Sequence, residues 1–213
     1  LILPNNNIGN KKENKNTNIT RTVMIYLDGS NLESEGEIVS SDLDAINPSK
    51  IDLKNNHILI YTGGTKVWHN FISNEENAIY ELTKDGFEKK ETYAKLDMGS
   101  SKTLLSFLSY AYENYKTDAY DLVFYDHGGA IDGAIYDDFT EEHLELLDIS
   151  NTLKSSPFNK DNKLELVLFR TCLNSTLEVA NVFKNYADYM IASEEVTYGY
   201  KSNPVLGFLS NLS

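Results

Sequence analysis

Two short apolar runs that end in chemically active residues constrain this chain most. Leu164 to Phe169, in LELVLFRTC, is a strand-type run that stops at Arg170-Thr171 and delivers Cys172, the only cysteine in 213 residues, to the start of a helix-forming segment. Asp121 to Asp126 (DLVFYD) is a run of the same kind and ends in His127-Gly128-Gly129. The 45 residues from His127 to Cys172 leave room for one complete strand-loop-helix-strand crossover. Two neighbouring parallel strands would then present an imidazole and a thiol at one sheet edge, which is where α/β sheets hold their ligands. A cysteine behind a buried strand is more often a small core hydrophobe. The histidine at the matching strand end is what points to chemistry, because a thiolate is the nucleophile and an adjacent imidazole supplies the base.

The rest of the chain supplies the sheet. Thr22 to Leu27 and His57 to Tyr61 are compact apolar runs suited to buried parallel strands, closed by Asp28-Gly29-Ser30-Asn31 and Thr62-Gly63-Gly64-Thr65. Asp28 either serves the site or, as is commoner at a strand end, forms a turn or caps a helix, and the paired glycines are expected to form a turn, since the Gly-Lys-Ser/Thr of a phosphate loop is absent. Trp68 and His69 follow that turn, at a place that either borders the site or packs. Glu33 to Ile46 has loose helical spacing, and Lys84-Asp85-Gly86 between two alternating runs predicts a hairpin over 78–93. Leu104, Leu105, Phe107, Leu108, Ala111 and Tyr112 mark one helix face over 102–115. After His127 comes an acidic loop to His143, then an amphipathic segment at 144–153, a helix over 176–186 and a strand at 189–192. This order predicts a mostly parallel, open α/β sheet flanked by helices on both faces, with an inserted β-hairpin.

The Asn- and Lys-rich start leaves little to bury, so residues 1–21 read as a mobile arm ahead of a domain over 22–213. A net charge of −13 argues against nucleic acid or an anionic membrane surface as partner. One cysteine allows no intrachain disulfide, and the four histidines lack metal-ligand spacing. No apolar run reaches the ~18 residues of a membrane span, and LILPNNNIGN lacks the features of a signal peptide.

FYDHGGA and FRTCLNSTLEVA resemble the His and Cys motifs of the clostripain-like cysteine peptidases, a family with the caspase-type fold. VMIYLDGSNLES at 23–34 is similar to that family's first strand and Asp-Asn-Leu-type turn. LDMGSSKTLLSFLSYAYENY at 96–115 resembles its Asn-Met-Gly stretch and following helix, and ASEEVTYGY at 192–200 the segment after a later strand. The resemblance covers most of residues 22–210 in the family's order. It implies a secreted or cell-envelope bacterial endopeptidase acting on proteins or peptides, with Ca2+ as a possible cofactor. It also implies a chain truncated or processed on its C-terminal side.

On this reading Cys172 is the nucleophile, His127 the base, and the backbone N–H groups of Gly128 and Cys172 the oxyanion donors. No third member of the dyad is evident: Asp126 adjoins His127, but successive strand residues face opposite ways. The sequence departs from the family where an Asp two residues before the Cys lines a pocket for Arg or Lys. Arg170 stands there, and Lys201 falls near a second acidic pocket position. Both changes favour a carboxylate substrate, unless Arg170 pairs with Glu194 or Glu195 and the family's basic preference survives. A catalytically silent binding module would keep the fold without the dyad. A small-molecule hydrolase or amidotransferase would place its Cys in a Gly-flanked elbow, which Thr171-Cys172-Leu173 does not provide.

Overall fold

A computed structural model describes residues 19–197 and 205–212. In chain order the elements are β1 (Arg21–Asp28), α1 (Ser30–Ser34), α2 (Ile38–Asp44), β2 (Asn56–Gly63), β3 (Glu76–Thr83), β4 (Gly86–Ala94), α3 (Ser101–Asn114), β5 (Ala119–Tyr125), β6 (Ala134–Tyr136), β7 (His143–Leu144), α4 (Leu146–Ser155), β8 (Leu164–Arg170), α5 (Leu177–Phe183) and β9 (Ala187–Ile191). Seven strands form one sheet in the order β4, β3, β2, β1, β5, β8, β9. The five from β2 to β9 run parallel, and β3 and β4 add the antiparallel hairpin at one edge.

β1 lies at the middle, and Val23 to Leu27 are wholly buried. Its alternate residues feed two cores. Met24 and Tyr26 join Leu59, Tyr61, Leu122 and Phe124 under Phe107 and Leu108 of α3, Leu153 of α4 and Phe183 of α5. Val23, Ile25 and Leu27 join Ile58, Ile60 and Val123 under Val39 and Leu43 of α2 and Leu206 and Leu209 of a 3-10 helix, Val205–Asn211. Strands covered on both faces read as continuous apolar runs without alternation, which is the pattern of this sequence. Helix α3 starts where the Ser100 hydroxyl accepts the Lys102 N–H. Burial of its Phe107 is worth about 3–5 kcal/mol against alanine.

The structure departs from the sequence expectations in three places. The helical segment over 33–46 is two short helices, because Glu37 between them takes a φ of +53°, a left-handed conformation that no helix continues through. The acidic loop after His127 is partly regular: Ala130–Asp132 form a 3-10 turn, and β6 pairs with β7. Its Asp137 is only 1% exposed and accepts the N–H groups of Met98, Phe139 and Thr140, so this acid is a bracket that folds the segment onto the sheet end. Thr20 and Arg21, assigned to the arm, are anchored instead. The Thr20 amide and hydroxyl bind Asp118, and the Arg21 guanidinium binds Asp121 at 2.7 Å. Residues 1–18, Lys201 and Pro204 lie outside the described residues.

Candidate active site

The pairing of β5 with β8 positions the site. Tyr125 lies opposite Arg170 in register, and two residues beyond each come His127 and Cys172. Gly128 makes this close approach possible. A Cβ added there would lie 2.1 Å from the Cys172 carbonyl oxygen and 2.3 Å from Asn174 Oδ1, so no side chain fits. The two loops are stitched further by the Asn174 side-chain amide, which donates to the Gly133 carbonyl at 2.9 Å and accepts the Thr171 hydroxyl. Leu173 turns sharply after the cysteine with φ +60°.

His127, Arg170 and Cys172 line one cavity of about 160 Å3, together with Leu32, Val196 and Thr197. Among the described residues His127 and Cys172 share no direct hydrogen bond. The sulfur receives the Thr197 N–H at 3.4 Å and lies 3.7 Å from the Thr197 hydroxyl. The imidazole Nε2 meets Asn31 Oδ1 at 2.7 Å. With that oxygen as acceptor, Nε2 carries the proton and Nδ1 remains as the basic nitrogen. Asn31 was missed in the sequence because it comes from α1, 96 residues earlier. Among the described residues neither the Gly128 nor the Cys172 N–H donates to a backbone carbonyl.

Arg170 is 8% exposed. Its guanidinium lies over the Tyr125 ring at 5.2 Å and reaches the Thr197 hydroxyl at 3.4 Å, while Nε has no partner. Among the described residues it forms no ion pair, with Glu194 and Glu195 included. A buried cation without an ion pair is expensive, and this one faces the cavity of the thiol, whose lining also includes Asp126.

Beneath the site lie buried carboxyls. Asp126 Oδ1 accepts the Ser30 hydroxyl and Oδ2 the Tyr136 N–H, both at 2.5 Å. Its role is therefore to fix the turn that carries Asn31, rather than to touch the imidazole. Asp28 accepts the Ser30 N–H at 3.0 Å, forming the turn expected of it. Gly64, at φ +69°, is required beside it, since a Cβ would lie 1.8 Å from Asp28 Oδ1. Burial holds both carboxyls above the usual range, and the Asp126 and Asp137 charges push Asp28 further. Trp68 packs in the core below Gly29, and the His69 N–H binds Glu33, so neither borders the thiol cavity. Among the described residues no three His, Cys, Asp or Glu side chains are placed to share a metal ion.

The sequence model of the clostripain family matches residues 25–207. Clostripain of Hathewaya histolytica is 27% identical over an alignment of 224 positions that covers 88% of this chain and 41% of that protein. Among solved structures, a secreted C11 cysteine protease of Bacteroides thetaiotaomicron, iotapain, superposes with a TM-score of 0.67 at 20% identity, over 87% of this chain and 55% of its own. An inactive zymogen C11 protease of Parabacteroides distasonis gives 0.64 at 24% identity, over 91% and 57%. The chain thus spans about half the length of the relatives it matches and shares their caspase-like fold. With the family's sequence model covering most of its length, the chain belongs to the clostripain family of cysteine peptidases.

Proposed function

We propose that this chain carries the catalytic dyad of a cysteine endopeptidase that cleaves after Asp or Glu. Cys172 attacks the scissile carbonyl carbon as the thiolate, and its proton passes to His127 Nδ1. The carbonyl oxygen takes the new negative charge, towards the N–H groups of Gly128 and Cys172. Collapse of the intermediate breaks the C–N bond while His127 protonates the leaving amine, and water then hydrolyses the thioester. Asn31 holds the imidazole through these proton transfers, and the Thr197 N–H shares charge on the sulfur. Secretion, the location stated for the Bacteroides protein, suits such a peptidase.

The observation that carries the specificity is Arg170, a buried guanidinium without an ion pair among the described residues, in the cavity of the nucleophile. A substrate carboxylate would supply the missing partner through the bidentate geometry that a guanidinium favours. Lys201 is proposed to add a second positive charge there. Fluorogenic peptides that differ only in the residue before the bond test this, with Arg170→Asp assayed beside wild type. Preferred cleavage after Asp or Glu by the wild type, lost in the variant, is expected; preferred cleavage after Arg or Lys by the wild type refutes it.

A further inference from the structure

His127 borders two cavities. One holds Cys172 and Arg170. The other, of about 230 Å3, is walled by His127 and the chain that follows it, and Cys172 does not line it. Its wall is built with care. Ile135, a β-branched residue, sits at φ +66°, a conformation such residues rarely adopt. Three ties hold it there: the Ile135 N–H donates to the His127 carbonyl at 3.1 Å, the Gly129 N–H to the Gly133 carbonyl at 3.0 Å, and the Tyr136 N–H to Asp126. Backbone strain maintained by surrounding bonds concentrates at ligand clamps.

We infer that this second cavity receives the side chain immediately after the scissile bond, and that the enzyme favours an apolar or aromatic residue there. The inference rests on the peptidase reading and adds to it the leaving-group side. The residue before the bond stays on the sulfur beside Arg170. The amine that leaves takes its proton from His127, so the chain beyond the bond departs past the imidazole, and the cavity next to the imidazole is where its first side chain comes to lie. The walls decide the chemistry. Ala134 and Ile135, which belong to the apolar core, back the cavity, and the glycines beside them add only backbone. Of the ionisable groups, Asp132, Tyr136 and His143 are exposed, and the partly buried His127 already has its Nε2 on Asn31. A charged side chain would lose hydration there without gaining a buried counter-charge, whereas an apolar one gains by leaving water.

Internally quenched peptides with Asp before the bond and Leu, Phe, Ser, Asp or Lys after it test the inference. A peptide methyl ester ending at that Asp has no side chain beyond the bond and serves as reference. Wild type is expected to cleave the Leu and Phe peptides about tenfold or more faster in kcat/KM than the Asp and Lys peptides. Tyr136→Ala, which removes a half-exposed side chain and leaves the N–H to Asp126 in place, is expected to slow the Leu and Phe peptides by a larger factor than the ester. His143→Lys is expected to raise the Asp peptide relative to the Leu peptide. Equal rates whatever follows the bond, or a preference for charge, overturn the pocket while leaving the peptidase standing. If neither ester nor peptide is cleaved, the peptidase reading fails, and the pocket with it.

Discussion

Replacing Asn31 by alanine tests whether the imidazole is held from the first strand's turn. The bond at stake is the 2.7 Å contact between His127 Nε2 and Asn31 Oδ1. During the reaction the imidazole takes a second proton, and a hydrogen bond to a charged group is worth about 1.5–3 kcal/mol. At about 1.4 kcal/mol per factor of ten, its loss should lower kcat about 10- to 150-fold on a fluorogenic peptide with Asp before the bond. KM should change little, because Asn31 lies behind the imidazole and is not among the residues lining the thiol cavity. Asn31→Asp keeps an acceptor at the same place and should recover most of the rate. Thermal unfolding distinguishes positioning from folding: α1 is only five residues long, and the midpoint of Asn31→Ala should stay near that of the wild type. An alanine variant with full kcat, or one whose lost activity follows lost folded protein, refutes the assignment.

Gly128→Ala should abolish turnover while the protein still folds, because the clash at 2.1 Å is with the Cys172 backbone and cannot be relieved by a side-chain rotation; circular dichroism beside the activity assay checks it. For Asp126 the folded value lies above the unfolded one, so its protonated form contributes stability that is complete below pH ~4 and is lost as pH rises through the raised value. The urea midpoint of wild type minus that of Asp126→Asn should therefore fall from pH 4 upward, and a difference independent of pH overturns this. If the chain cuts itself in the segment after His127, the cut should fall at its exposed acids, Asp132, Glu141 or Glu142, and spare the buried Asp137. Intact masses of wild type beside Cys172→Ala, both uncut, would reject self-processing there.

The sheet was legible because its inner strands are buried on both faces and so appear as unbroken apolar runs. The hairpin was legible from Asp85-Gly86, and Gly86 does take a positive φ, +110°. The 45 residues between His127 and Cys172 left room for one crossover, and the same offset in the register of β5 and β8 brings both to one end of the sheet. What stayed hidden depends on contacts between distant segments. Nothing in the sequence around Asn31 announces that its amide meets an imidazole 96 residues away, or that Thr197 lies against the sulfur. The break at Glu37 was hidden because glutamate has no special taste for the left-handed region. The segment after His127 read as an acidic loop, although one of its acids, Asp137, is spent on three backbone N–H groups.

The contact of Gly128 with Cys172 has a further consequence for how the protein breathes. The Asn174 amide also reaches the Ala130 carbonyl at 3.3 Å, so the two loops are joined by direct backbone packing and by one side chain spanning both. Neither loop can lift away alone without leaving the Asn174 side chain unpaired on one side. Local opening events tend to involve such contiguous units rather than single loops. Amide hydrogens at Gly129, Gly133 and Ile135 should therefore exchange with solvent in step with those at Leu173 and Ser175, and the imidazole and the thiol would keep their mutual placement until both loops open together.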